Sequence, residues 1–311
     1  MSSRAVVIQN MSYKYKQHAA LRDFNLEVPP GIIHGLVGPA SAGKTTFLNI
    51  LAGTIKAAIG TGKVFNYRLG SKEARSIIGY VPARPAFYAN LTVWEYLSYL
   101  GRLSGLSKRE TAQRINLLLK EVDLYDFRDK IPSDFTPGMK TKIAIVQSFL
   151  HSPRLLLLDE PVTGLDETGK QSVLQIIREL SFMHGSTVII SAQNWRDIES
   201  ITAAITFIDE GKVMLSAEID EIRNLYSYGV FSLHTSDNET LLDILPRLAY
   251  LQHIIQTEDN SIMVMTKAKE QFRKDISEFI NSIKAELYYF YEEEVNMGIV
   301  RRYLLPDREA E

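Results

Sequence analysis

Apolar and polar residues change rhythm several times along this chain, and each change marks a different kind of element. Residues 5–9, 24–28 and 32–37 are short apolar-rich runs interrupted by Pro29-Pro30-Gly31, the pattern of strands joined by a turn. A helical stretch then runs to Gly53, and residues 62–80 return to strand and turn. Ile77-Ile78-Gly79-Tyr80-Val81-Pro82 reads as a buried strand with its stop. From Leu91 to about Ser152 the pattern becomes helical. Thr92-x-x-Glu95 is a capping box ahead of Tyr96, Leu97, Tyr99 and Leu100. Ile115, Leu117, Leu118, Leu119 and Val122 carry the period of a second amphipathic helix. Strand rhythm resumes at 155–159, 187–191 and 204–208, with a helix across 167–184.

After Val213 the composition shifts, which predicts a first domain over 1–219 and a second over 220–311. In the second, 228–234 and 261–266 read as strands and 238–248 and 268–283 as helices. Ala285-Glu286-Leu287-Tyr288-Tyr289-Phe290-Tyr291 is a further strand, whose aromatics favour a core role. A short helix is expected at about 294–303, with Glu292-Glu293-Glu294 as a solvated run at its start. No catalytic constellation is visible in this second segment.

Composition removes several classes of function. A net charge of −2 argues against a general nucleic-acid binder. The absence of cysteine excludes disulfides, thiolate metal sites and cysteine nucleophiles. No segment approaches the roughly 18 consecutive apolar residues of a membrane span. Met1-Ser2-Ser3-Arg4 leads into strand-like Ala5-Val6-Val7-Ile8 rather than an apolar leader, so the chain itself is expected to be soluble.

The chemistry is concentrated in two places. Gly38-Pro39-Ala40-Ser41-Ala42-Gly43-Lys44-Thr45-Thr46 follows an apolar strand and opens a helix. That is the phosphate-binding loop in its required context: its glycines let the backbone N–H groups turn inward around anionic oxygens. The helix N-terminus adds a favourable dipole for phosphate. Lys44 would reach the β- and γ-phosphates, and Thr45 would offer its hydroxyl to Mg²⁺. The second place is Leu155-Leu156-Leu157-Leu158-Asp159-Glu160, a buried strand ending in two acids. Strand ends are where open α/β sheets bind ligands. Asp159 would hold Mg²⁺, and Glu160 would polarise an attacking water.

In this order, phosphate loop, helical insert (about 84–152) and acidic strand, the chain resembles the ATP-binding subunit of an ABC transporter over residues 4–219. The type with a C-terminal extension is similar to ABC-2-class exporters. The resemblance implies an α/β P-loop NTPase (RecA-like) core with a strand-rich N-terminal subdomain and a helical insert. A small C-terminal α/β domain follows. It also implies ATP and Mg²⁺ as ligands, with Tyr15 stacking on adenine. Gly164-Leu165-Asp166 matches the loop that meets a second nucleotide-binding subunit, and Arg84 to Leu97 matches the groove for a membrane-spanning subunit.

Four departures from the family pattern qualify that expectation. Ala40-Ser41 stands where the family has Asn-Gly. Ala83 replaces a glutamine that senses Mg²⁺ and γ-phosphate. The signature becomes Phe135-Thr136-Pro137-Gly138-Met139: Thr136 keeps a hydroxyl and Gly138 the glycine, while Pro137 removes an N–H donor. Gln193, in Ser191-Ala192-Gln193, stands where the family has a histidine; it donates a hydrogen bond but cannot become an imidazolium. Each loss should slow phosphoryl transfer, a reaction that depends on positioning and charge stabilisation. The expectation is slow or partner-dependent hydrolysis with binding retained. A heterodimer with a complete partner is favoured over a homodimer, because self-pairing would put every defect in every site. The localisation implied is cytoplasmic, on the inner face of the cell membrane through the membrane partner. The competing readings are a nucleotide-gated regulatory or scaffolding module and an unrelated P-loop kinase. The kinase would need an arginine-rich lid, for which Arg84, Arg102, Arg109, Arg114 and Arg128 are the available residues.

Overall fold

The computed structural model describes residues 4–56, 59–257, 259–295 and 299. The chain divides into two compact units, Met1–Ile219 and Asp220–Glu311. The first opens with β1 (Val6–Tyr15), β2 (His18–Val28), β3 (Ile33–Val37) and α1 (Lys44–Ala52). β4 (Ile59–Val64), β5 (Tyr67–Arg68), α2 (Lys72–Ser76) and β6 (Ile78–Val81) follow. Three helices, α3 (Val93–Leu103), α4 (Lys108–Glu121) and α5 (Pro137–Phe149), form the insert. The unit is completed by β7 (Leu155–Leu158), α6 (Glu167–His184), β8 (Thr187–Ala192), β9 (Ala204–Asp209) and β10 (Lys212–Glu218).

Two sheets enclose the core of this unit. β2-β1-β4-β5 form an antiparallel sheet, and β10-β9-β3-β8-β7-β6 form a second in which every pair but β10–β9 is parallel. Val6, Ile8, Phe24 and Leu26 of the first sheet, Phe47, Leu48 and Leu51 of α1, and Leu36, Leu155, Leu157 and Ile189 of the second share one apolar cluster. Phe24 and Phe47 meet with ring centroids 4.6 Å apart. The four-leucine run of β7 is wholly buried because a parallel strand in a covered sheet has no solvent face.

The insert helices start where capping chemistry dictates. Thr92 and Ser107 each make a full capping box, with Glu95 and Glu110. Leu117, expected on the buried face of α4, is 54% exposed; Thr111, Ile115, Leu118 and Leu119 form the buried stripe instead.

The second unit runs α7 (Ile219–Leu225), β11 (Gly229–Thr235), α8 (Asn238–Ile244), β12 (Leu251–Gln256), β13 (Ile262–Thr266), α9 (Lys269–Ser282) and β14 (Leu287–Glu293). Beyond α7 this is a βαββαβ order, closed as a β12-β13-β11-β14 sheet whose strands are all antiparallel. Phe231, Leu233 and Val264 face Leu241, Phe272 and Ile276 in its core. Phe290 joins them, stacked on Phe231 at 5.5 Å, whereas Tyr288 and Tyr291 are exposed. The acidic run was expected at a helix start, but Glu292 and Glu293 belong to β14. Glu292 is held by Lys269 at 3.2 Å and by Arg273, and Glu293 accepts from Ser232. The helix expected at 294–303 lies, apart from helical Ile299, outside the residues described as helix or strand.

Candidate functional site

Parallel register brings the chemistry to one edge. Val81 pairs with Leu158, Leu158 with Ile190, and Ala192 with Val37, so β6 and β7 end level with each other and β8 and β3 end level just beyond them, all at the same edge. The next residues are Asp159-Glu160, Gln193 and Gly38. Gly38 N–H donates to Ala192 O at 3.3 Å, tying the loop to β8.

The loop is a backbone cradle. A Cβ at Gly38 would lie 2.1 Å from Ile208 O, and at Gly43, where φ is +106°, 2.4 Å from Ala20 O. Only glycine fits both places. Ser41 adopts φ +67° although it is not glycine, so the Asn-Gly replacement keeps a left-handed turn at a cost of about 1 kcal/mol. α1 has no side-chain N-cap and no acid in its first turn, so its end is built for an anion. Thr45 and Thr46 follow Lys44 in that turn.

Lys44 is 4% exposed and curls back over the loop. Its Nζ donates to Gly38 O at 2.8 Å and Pro39 O at 2.9 Å, and meets Glu160 Oε1 at 3.1 Å. Gln193 Nε2 donates to Glu160 Oε2 at 3.0 Å, and Thr163 Oγ1 donates to the same oxygen at 3.2 Å. Burial works against the Glu160 carboxylate, but Gln193, Lys44 and Thr163 outweigh it and hold its pKa below the usual range. Asp159, 1% exposed, shifts the other way. Burial raises its pKa and the Glu160 charge adds to the rise, against hydrogen bonds from Ser191 and Thr45 and the charge of Lys44. A buried carboxylate beside a threonine hydroxyl is an all-oxygen donor set, which suits Mg²⁺ that keeps most of its waters.

The other candidates stand apart from this cluster. Tyr15 is 45% exposed at the tip of the hairpin whose Ala20 carbonyl abuts Gly43, with Tyr13 edge-on at 4.9 Å. Thr136 caps α5, accepting from Met139 N–H at 3.3 Å, and Pro137 takes the first helical position, where no intrahelical N–H bond is lost. Gly138 has open space over its Cα. Asp166 caps α6 through Gly169 N–H at 3.0 Å. Thr136, Gly138 and Asp166 have no described contact with the Lys44–Glu160 cluster. Ala83 is exposed. The arginines of the insert do not converge on a lid: Arg114 donates to Leu150 O at 2.7 Å and Arg128 lies over Tyr125 at 4.3 Å. Ser191 and Thr163 are the participants that sequence reasoning did not assign. A serine among the apolar residues Val188, Ile189, Ile190 and Ala192 of a buried strand was the available signal for the first.

Similarity to known proteins agrees with this geometry. Residues 21–163 match the family described as ABC transporter. An uncharacterised ABC transporter ATP-binding protein of Bacillus subtilis, YxlF, is 35% identical over 249 residues, 80% of this chain and 82% of that one. The chain belongs to the ABC transporter ATP-binding proteins. The lantibiotic transport ATP-binding protein SrtF of Streptococcus pyogenes is 33% identical, covering 70% of this chain and 93% of that one. The bacitracin transport ATP-binding protein BcrA of Enterococcus faecalis is 32% identical, covering 69% of each chain. A solved structure of the ATP-binding subunit of an ABC transporter superposes with a TM-score of 0.63 at 28% identity, over 71% of this chain and 92% of that one. The protein is thus an ABC transporter ATP-binding subunit, and its phosphate loop is that of a family that binds ATP.

Proposed function

We propose that this subunit binds Mg-ATP, closes against a second nucleotide-binding subunit, and by closing drives a separate membrane-spanning subunit, with slow or partner-dependent hydrolysis. Lys44 turns to the β- and γ-phosphates, while backbone N–H groups of the loop beyond Pro39, between Ala40 and Thr46, cradle the phosphate oxygens. Thr45 and Asp159 hold Mg²⁺, which spreads the negative charge of the phosphates when bound. Glu160, released from Lys44, orients the attacking water, and Gln193 steadies that carboxylate. Tyr15 stacks on adenine. Thr136, Gly138 and Asp166 act across the dimer, which agrees with their place at helix starts away from the cluster, where Thr136 and Asp166 are exposed and Gly138 is half-buried.

The observation that carries the slow-hydrolysis reading is Gln193 donating to Glu160 at 3.0 Å. The side chain expected to meet γ-phosphate instead holds the water-orienting acid, and it brings no positive charge. Loss of one preorganised donor costs about 10²–10³-fold in rate. A heterodimer follows from the same reasoning, since a complete partner would divide the defects, leaving Ala83 and Gln193 in one site and Pro137 in the other, whereas self-pairing would put all of them in both. No helix among the described residues is long and apolar enough to cross a membrane, so attachment to the inner face of the membrane would run through the partner. Phe87, Tyr88, Tyr96 and Tyr99 form a linked aromatic group on the insert, suited to receive it. SrtF and BcrA are named for lantibiotic and bacitracin transport, so antibiotic peptides are the first cargo class to test.

The deciding experiment is ATP binding and steady-state hydrolysis by the purified chain, with Glu160→Gln as control. Tight Mg-ATP binding with turnover no higher than the control supports the proposal. Ordinary transporter rates abolished by Glu160→Gln overturn its slow-hydrolysis part. Ala83, exposed and without a polar side-chain atom, favours a second reading: a nucleotide-gated regulatory module that does not power transport. Failure of any membrane subunit to stimulate the chain would select it.

A further inference from the structure

We propose that Ser191 is the positioning residue of this site, setting the carboxylate of Asp159 and the backbone of Glu160 together through one hydroxyl; this rests on the Mg-ATP reading above. Ser191 is wholly buried on β8, between the strand that leads into the phosphate loop and the strand that ends in the two acids. Its neighbours along β8 are Val188, Ile189, Ile190 and Ala192, so packing alone would favour an apolar side chain there. Instead its Oγ lies 2.8 Å from Asp159 Oδ1 and 2.9 Å from Glu160 N. An amide only donates and a carboxylate only accepts, so the direction is dictated. Ser191 donates to Asp159 and accepts from Glu160.

Each half of that bridge has a consequence. The donated bond fixes which way the Asp159 carboxylate faces, and so where it can meet a metal ion beside Thr45. The accepted bond holds Glu160 at φ +46°, a left-handed conformation uncommon for a residue with a Cβ. That turn sends the Glu160 carboxylate back toward Lys44 and Gln193 rather than on along the chain. The Asp159 N–H is itself tied to Val81 O at 2.9 Å, so the acid pair is anchored from both neighbouring strands. Groups that orient a metal ligand typically govern affinity by about 10–100-fold.

The test uses the full chain and reads binding rather than turnover. Affinity for a fluorescent ATP analogue is measured with and without Mg²⁺ in wild type, Ser191→Ala, Ser191→Val, Ser191→Thr and Asp159→Asn. Thr and Val have nearly one shape and differ by the hydroxyl, and Ser191→Ala removes the hydroxyl without added bulk. The expected result is a strengthening by Mg²⁺ that falls about 10–100-fold in Ser191→Val and Ser191→Ala. Ser191→Thr should keep it, and metal-free affinity should stay level across the Ser191 set. If Ser191→Val and Ser191→Ala retain the wild-type response to Mg²⁺ while Asp159→Asn loses it, Ser191 only fills space and the inference is wrong, with the Mg-ATP reading intact. A wild-type chain that binds no nucleotide, or binds it without regard to Mg²⁺, would sink that reading itself.

Discussion

Gln193 and Glu160 are joined side chain to side chain, with Nε2 donating to Oε2 at 3.0 Å, while the other oxygen of the same carboxylate meets Lys44 at 3.1 Å. Glu160 is therefore held from both sides. A neutral amide can steady this acid but cannot place a positive charge near a phosphate.

Restoring that charge should be visible in turnover. Gln193→His is expected to raise steady-state ATP hydrolysis, by up to the roughly 10²–10³-fold that one preorganised donor supplies. Phosphate release under saturating Mg-ATP measures it. Unchanged turnover would mean that the altered signature or Ala83 sets the limit.

Gly43 tests the cradle. In Gly43→Ala the new methyl would sit 2.4 Å from Ala20 O in a backbone held at φ +106°. The loop must move, so nucleotide binding should be lost and thermal denaturation should show destabilisation by about 2 kcal/mol. Retained binding would show that hairpin and loop can separate.

His34 makes stability depend on pH. Its ring is 2% exposed, Nε2 lies 2.8 Å from Thr206 Oγ1, and Nδ1 is buried without a partner. Burial lowers its pKa to about 4. The unfolded imidazole takes up a proton below about pH 6.5 whereas the folded one does not. The contribution is thus complete above pH 6.5 and lost progressively as pH falls toward 4, amounting to about 3 kcal/mol. Urea midpoints at pH 7 and pH 4.5 should differ less in His34→Leu than in wild type. Equal differences would show that other groups carry the acid sensitivity.

Thr92 starts α3. Its Oγ1 accepts from Glu95 N–H at 3.2 Å, and Glu95 Oε2 accepts from Thr92 N–H at 2.9 Å. Thr92→Ala should cost about 1 kcal/mol, read as a lower denaturant midpoint at unchanged slope. Hydrogen exchange along 93–103 should rise with it.

Legibility in the sequence followed burial and length. The helix read across 167–184 is α6 (Glu167–His184), and the strand reading at 155–159 is β7, because long amphipathic or wholly apolar segments state their surroundings. The strand-and-turn pattern of 62–80 hides α2, which has five residues, of which only Ala74 is buried, too few to show a period. β12, a half-buried edge strand, and β10, placed at a composition shift, carry no strand pattern legible in the sequence.

The phosphate loop, the acidic strand and the family were determined by the sequence alone, because each depends on residue types at short spacings. Tertiary structure decided what those residues touch. Glu292, read as part of a solvated run, meets Lys269 and Arg273 because α9 packs beside β14. Ser191 reaches Asp159 across 32 residues of chain because β8 lies next to β7 in register. Such partners come from sheet order, a long-range property that no local pattern encodes.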